Sequence, residues 1–258
     1  MKSITFYKYQ GTGNDFVVID DRKETFDIED YHLVHRLCDR RFGVGADGLI
    51  LIRNHEAYDF EMVYFNADGH VGSMCGNGGR CAVQFAKFLD IFDKQTTFWA
   101  ADGLHEAFIE DELVHLKMNA PKEIEEGDDY FFMDTGSPHY VSFKDDIGQY
   151  NMYAEGRKIR YNDRFKEEGT NVNFVERRAD GLKVRTYERG VEDETFSCGT
   201  GVTACVIAAG LQGAESPVAV EVEGGDLMVS FDKKDDNSFD NVYLIGPAVQ
   251  VFEGKINV

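Results

Sequence analysis

The ten residues Val202–Leu211 read VTACVIAAGL and carry no charge. A short helix that is apolar on nearly every side has no face to offer water, so other structure must wrap it. The same stretch is preceded by Ser197-Cys198-Gly199-Thr200-Gly201, a cysteine heading a run of glycines. An earlier stretch repeats the arrangement: MCGNGGRC, Met74–Cys81, leads into CAVQFAKFL. Aligned without gaps, CGNGGRCAVQFA and CGTGVTACVIAA agree at five of twelve positions. Each half also holds a related loop, GTGNDFVV from Gly11 and GTNVNFVE from Gly169. The surrounding segments are rich in β-branched and aromatic residues. Ile4–Tyr9, Phe16–Asp20, Gly48–Ile52 and Asp59–Phe65 read as strands, as do Thr96–Ala101, Glu106–Ile109 and Leu113–Met118. In the second half Val184–Glu188, Val218–Val222, Leu227–Phe231 and Val242–Ile245 read the same way, with a hairpin turn at Glu223–Asp226. The expectation is an α/β chain of two related halves, each a strongly curved sheet around an apolar helix. The joint is placed near Met118–Lys122, around Pro121. Three helices are expected: Ile28–Arg40 with Asp27 as its N-cap, Arg80–Ile91, and Val202–Leu211.

The formal net charge of the 258 residues is -20, which opposes binding to a polyanion. No apolar run approaches the roughly 20 residues of a membrane helix. The first residues, MKSITFYKYQ, show no continuous apolar core of a secretory signal, so a cytoplasmic location is expected. The five cysteines, Cys38, Cys75, Cys81, Cys198 and Cys205, are odd in number and include no C-x-x-C pair. Neither a disulfide framework nor structural zinc fits that pattern, and no metal is expected. Gly43-Val44-Gly45-Ala46-Asp47-Gly48 matches G-x-G-x-x-G but follows a helix and opens a strand, the reverse of a dinucleotide site.

Cys75 and Cys198 stand apart from the other thiols. Glycines beside them let a ligand reach the backbone, and a helix begins at once. The first amides of a helix lack intrahelical acceptors and its dipole is positive there. Such a place favours a thiolate and a bound carboxylate. Cys81, Cys205 and Cys38 lie within helices, without that glycine-lined approach, and read as core residues. Glu188 and Arg189 end a strand ten and nine residues before Cys198. They read either as an exposed ion pair or as contacts for an ammonium and a carboxylate. Asn14, Asn66 and Asn171 are turn formers or site residues, and His139 after Pro138 is a loop or site histidine. Two thiols flanking one carbon would suit inversion of a stereocentre, one removing a proton and the other delivering one to the opposite face.

Asn66-Ala67-Asp68-Gly69 followed by MCGNGGRC closely resembles the signature of the diaminopimelate epimerases. Further matches run along the chain: GTGNDFVV at Gly11, DRRFGVGADGL at Asp39, SPH at Ser137, GTNVNF at Gly169, YERG at Tyr187 and CGTG at Cys198. The resemblance implies two pseudo-symmetric halves, 1–117 and 118–248, each a mostly antiparallel curved sheet around a central helix, with the active site in the cleft between them. Residues 249–258 would return to the first half as its last strand. It implies an enzyme independent of pyridoxal phosphate and of any other cofactor. That enzyme interconverts LL- and meso-2,6-diaminopimelate for lysine and peptidoglycan synthesis, as a cytoplasmic homodimer with no nucleic-acid or membrane partner. Cys75 and Cys198 would be the acid/base pair, with Glu188 on the reacting ammonium and His139 assisting. Gly76, Asn77, Gly199 and Thr200 would hold the reacting carboxylate. Arg189, Asn66 and Asn171 would hold the distal end of the substrate, with Asn14 also lining the site. Three positions depart from the family pattern. His70 replaces the usual Ser, Ser137 replaces the Asn of many members, and Gly48 replaces the Gln of some. No substrate contact is carried to any of them.

Two rivals remain at this stage. A proline or hydroxyproline racemase shares the cysteine pair but usually has His where this chain has Asn77. A non-catalytic thiol protein would use the cysteines for redox or metal chemistry.

Overall fold

The computed structural model describes residues 3–72 and 74–258. The chain forms a mixed α/β fold, mostly strands with few helices, and divides into two compact units. The first is Met1–Leu116 with Gly246–Val258, the second Lys117–Ile245.

The first unit contains β1 (Ser3–Gly11), β2 (Asn14–Asp20), α1 (Tyr31–Cys38), β3 (Gly48–Arg53), β4 (Phe60–Asn66), α2 (Gly76–Phe88), β5 (Gln95–Ala100), β6 (Gly103–Glu110) and β7 (Leu113–Lys117). β2 and β3 run parallel, as do β4 and β5. β1–β2, β3–β4, β5–β6 and β6–β7 pair antiparallel. Helix α1 fills the β2-to-β3 crossover and α2 the β4-to-β5 crossover. The runs FVVI in β2 and LILI in β3 are buried without alternation. The cause is a helix on each face. Val17, Ile19, Leu49 and Leu51 pack with Val34 and Leu37 of α1. Phe16, Ile50 and Met62 lie against Gly78 of α2.

The second unit contains β8 (Ile124–Glu126), β9 (Phe131–Asp134), β10 (Pro138–Phe143), α3 (Met152–Arg160), β11 (Asn171–Arg178), β12 (Gly181–Glu188), β13 (Asp193–Thr195), α4 (Gly199–Leu211), β14 (Val218–Val222), β15 (Gly225–Lys233) and β16 (Phe239–Gly246). Its internal plan repeats the first. β10 and β11 run parallel around α3, β11 and β12 pair antiparallel, and α4 leads to β14, parallel to β12. Registers match too: Leu49 faces Phe65 as Val172 faces Tyr187. The final strand, β17 (Val249–Asn257), pairs antiparallel with β1 in the first unit.

The apolar helix α4 is buried along Gly201–Gly210 and touches β9, β10, β11, β12 and β15. Its counterpart α2 touches β1 to β4. Small residues bring the sheet close: a Cβ on Gly210 would stand 2.9 Å from the Phe231 ring.

Helix boundaries differ from the sequence expectation: the first two helices end early, at Cys38 and Phe88 rather than Arg40 and Ile91, and all three start elsewhere. The first helix begins at Tyr31, three residues late, because the Asp27 carboxylate accepts the Glu29 amide in a local turn. Asp30 caps instead, accepting from the Leu33 amide. The two apolar helices begin earlier than expected, at Gly76 and Gly199, so the glycines belong to their first turns and the cysteines are the N-caps.

Gly156 in α3 illustrates how packing overrides propensity. Alanine favours a helix by ~1 kcal/mol over glycine. A Cβ here would lie 2.4 Å from Cβ of the buried Tyr187, an atom close to the backbone that cannot swing away. Gly156→Ala is therefore expected to destabilise the protein by ~1–3 kcal/mol, read as a lower urea midpoint.

Candidate active site

Each cysteine of interest caps its helix with extended backbone and makes no side-chain capping hydrogen bond. Its carbonyl accepts the first helical bond, from Gly79 to Cys75 at 2.7 Å and from Val202 to Cys198 at 2.9 Å. The amides of the three residues between cap and first bond have no carbonyl within the helix. Gly76, Asn77, Gly199 and Thr200 supply four of those amides, at the positive end of the dipole. Cys75 is part-exposed and Cys198 is 9% exposed. Burial pushes Cys38 and Cys81 up to about 12 and raises Cys205 well above the ordinary thiol range, so these three are core thiols.

In the first unit, Asn14 opens β2 and turns its Oδ1 to Cys75 Sγ at 3.7 Å. Its amide direction is set from both ends. Asn14 Nδ2 donates to Asp47 at 2.7 Å, and Asn77 Nδ2 donates to Asn14 Oδ1 at 3.3 Å. Arg80, on the same helix, donates to Asn77 Oδ1 at 3.2 Å and to Thr12 Oγ1 at 2.9 Å. This guanidinium is fully buried, and among the described residues its acceptors are neutral, with Gly76 O and Pro247 O beside Asn77 and Thr12. Desolvation pulls it below the ordinary guanidinium value, down to about 10, against the pull of Cys81 and Cys75. Asn66 ends β4, where its Oδ1 accepts from Tyr64 at 3.1 Å. Its backbone closes the turn to His70 and Gly69, so it is a turn former and also stands at the end of the strand before Cys75.

Behind Asn14 lies a charged network. Asp15 accepts from Arg40 at 2.7 Å and pairs with the buried Lys8 at 2.6 Å, while Arg40 also reaches Asp47. Burial alone would raise Asp15, but the bonds from Arg40 and Lys8 win and hold it at about 2. A carboxylate depressed in the folded state stabilises fully above its unfolded range and loses that contribution as pH falls through the folded value. Asp15 is thus expected to contribute up to ~2 kcal/mol that disappears between about pH 4 and 2. Comparing Asp15→Asn with the parent by urea titration at pH 6 and pH 2.5 checks this; the difference should shrink at the lower pH.

In the second unit the site residues cluster at the matching end of the sheet. His139, fully buried on β10, lies opposite Asn171 of β11. His139 Nε2 stands 2.9 Å from Thr200 Oγ1 and 3.0 Å from Ser137 Oγ, and Cys198 Sγ is 3.6 Å from Thr200 Oγ1. Desolvation, with Arg189 adding to it, takes His139 down to about 3, so the imidazole is neutral. Asn171 accepts the Arg189 amide at 2.9 Å and donates to Ser137 Oγ and Pro138 O. Glu188 ends β12, accepting from Thr195 at 2.8 Å, and the Arg189 side chain donates to Glu168 O.

The structure therefore gathers Cys75, Asn14, Gly76 and Asn77 in one unit, with Asn66 at the adjoining strand end. It gathers Cys198, Gly199, Thr200, His139 and Asn171 in the other, with Glu188 and Arg189 at the equivalent strand end. Sequence reading passed over Arg80, Asp47, Asn173 and Thr186. Arg80 sits inside the MCGNGGRC motif, and Asn173 lies two residues from Asn171, hence on the same face of the strand. Both positions were open to inspection on those grounds. Among the described residues, no helix is long and apolar enough to cross a membrane.

The chain matches known proteins along nearly its whole length. The family model for diaminopimelate epimerase matches residues 6–122 and 131–251. The Diaminopimelate epimerase of Flavobacterium psychrophilum is 50% identical over 254 residues, covering 97% of this chain and 99% of that one. That of Chlorobaculum tepidum is 44% identical over 260 residues, covering 96% and 99%. Among solved structures, a Bacillus anthracis phenazine biosynthesis protein of the PhzF family superposes with a TM-score of 0.75 at 15% identity, covering all of both chains. A hydroxyproline epimerase from Agrobacterium vitis gives 0.69 at 12% identity, covering 98% of this chain and 92% of that one. At such identities these two show a shared fold alone. The full-length matches at high identity carry more, and the chain belongs to the diaminopimelate epimerase family.

Proposed function

We propose that the chain interconverts LL- and meso-2,6-diaminopimelate by two-base proton transfer, with Cys75 and Cys198 as the acid/base pair. The observation that carries this reading is the repeated placement of a cysteine as N-cap of a buried, glycine-started helix at equivalent points of two related units. One sulfur, as thiolate, takes the α-proton. The other, as thiol, delivers a proton to the opposite face of the same carbon. The pair exchanges roles in the reverse direction, so no net proton is gained or lost. The α-carboxylate is held by the amides of Gly76, Asn77, Gly199 and Thr200, which stabilise charge as the carbanion forms. Glu188 meets the reacting ammonium. Arg189, Asn66 and Asn171 take the distal amino-acid end, Asn14 lines the site, and His139 assists. The chemistry needs no pyridoxal phosphate or metal in this scheme. A cytoplasmic setting goes with this reading, since a working thiol pair requires a reducing compartment. The working form in this reading is a homodimer, which sedimentation analysis would test.

The direct experiment is incubation with LL-diaminopimelate, and separately with L-proline, in deuterated water. Deuterium at the α-carbon of the meso product, with proline unchanged, is the expected result. Label entering proline alone would assign the site to the racemase chemistry instead.

A further inference from the structure

We infer that Asn173 is a positioning residue for the cysteine chemistry: it locks His139 as the Nε2–H tautomer and thereby turns the Thr200 hydroxyl proton onto Cys198 Sγ. The proton positions follow from groups whose roles are not adjustable. Asn173 Nδ2 lies 2.9 Å from Tyr140 O, a carbonyl that only accepts. Thr186 Oγ1 lies 2.8 Å from Asn173 Oδ1 and donates to it. The amide is thus oriented with its NH2 toward His139, and Asn173 Nδ2 stands 3.1 Å from Nδ1. A ring nitrogen facing an N–H must present its lone pair. The imidazole is fully buried and neutral, so its single proton sits on Nε2.

From Nε2 the proton points at Thr200 Oγ1, 2.9 Å away, with Ser137 Oγ at 3.0 Å. A second relay reaches the same hydroxyl. The Arg189 amide donates to Asn171 Oδ1, which aims Asn171 Nδ2 at Ser137 Oγ, 3.2 Å away. Ser137 Oγ in turn stands 3.2 Å from Thr200 Oγ1. Its proton cannot go to the already protonated Nε2, so it goes to Thr200. Both relays deliver donors to Thr200 Oγ1. The Thr200 proton then has Cys198 Sγ, at 3.6 Å, as its acceptor. His139 in this arrangement does not take the cysteine's proton; it holds a hydroxyl that stabilises the thiolate. Ser137, where many relatives carry Asn, is a working link in the second relay.

The inference rests on the two-cysteine reading for its catalytic meaning, but its first test needs no substrate. Nitrogen-15 NMR of the full chain labelled at histidine should show His139 as the neutral Nε2–H tautomer from pH 6 to 8. An Nδ1–H tautomer or an imidazolium in that range would overturn the proposal, whatever the enzyme does with diaminopimelate. The second test is Asn173→Asp, which keeps the size of the side chain but cannot donate to Tyr140 O and Nδ1 together. The expected result is loss of the single tautomer and a kcat at least about tenfold lower, with KM within about threefold. A variant that keeps both the parental tautomer and the parental kcat would also overturn it. A correct tautomer in a protein inert toward diaminopimelate would instead count against the proposed function.

Discussion

Cys75→Ala and Cys198→Ala are each expected to lower the interconversion of LL- and meso-diaminopimelate by about a thousandfold or more, in both directions. General acid–base groups contribute ~10²–10⁴ each, and a one-carbon inversion needs both an acceptor and a donor of the proton. Neither sulfur caps its helix through a side-chain bond, so the fold should survive. Circular dichroism and the urea midpoint would show that, and full activity in either variant would falsify the two-base mechanism. The variants also separate the remaining rival. A redox or metal-binding thiol protein would show no epimerisation to lose.

Arg80→Met is the second large effect. Two contributions oppose each other. Desolvation holds the buried guanidinium below its ordinary value, at about 10, so removing its charge returns ~3 kcal/mol. Its departure also takes the donor from Thr12 Oγ1, Asn77 Oδ1, Gly76 O and Pro247 O. Hydrogen bonds from a charged donor contribute ~1.5–3 kcal/mol apiece, so losing four outweighs the gain. The expected net loss is ~3 kcal/mol, read from urea unfolding. Activity should fall as well, because Arg80 orients Asn77, and Asn77 orients the Asn14 oxygen beside Cys75. Arg80→Lys keeps the charge but not the fork of donors, and should recover only part of either loss.

Much of this was legible in residues alone. The apolar run of α4 demanded a wrapping sheet, and it is buried along Gly201–Gly210 against five strands. The hairpin turn at Glu223-Gly224 joins β14 and β15 because Gly and its neighbours suit a tight reversal. The strands β10 and β11 escaped reading for a physical reason. Asn171, Asn173 and His139 point to the helix side, where an ordinary strand would carry valine or leucine, so the alternation is inverted by the site itself. Helix α3 escaped because MYAEGRKIR buries only Met152 and Gly156 along its length.

The sequence by itself determined the placement of the two loops, each a cysteine heading a glycine-started helix. A cysteine followed by glycines and an apolar helix is a local pattern, and local patterns need no partner from elsewhere in the chain. It determined the family for the same reason, since the motifs are contiguous. Only the tertiary structure decided which neutral or charged group faces each sulfur. Asn14 lies 61 residues before Cys75, and His139 61 before Thr200; each meets its partner only once strands are in register. The direction of every proton in those relays depends on fixed acceptors such as Tyr140 O and fixed donors such as Arg80. Hydrogen-bond polarity is a property of assembled neighbours, and no single stretch of residues contains it.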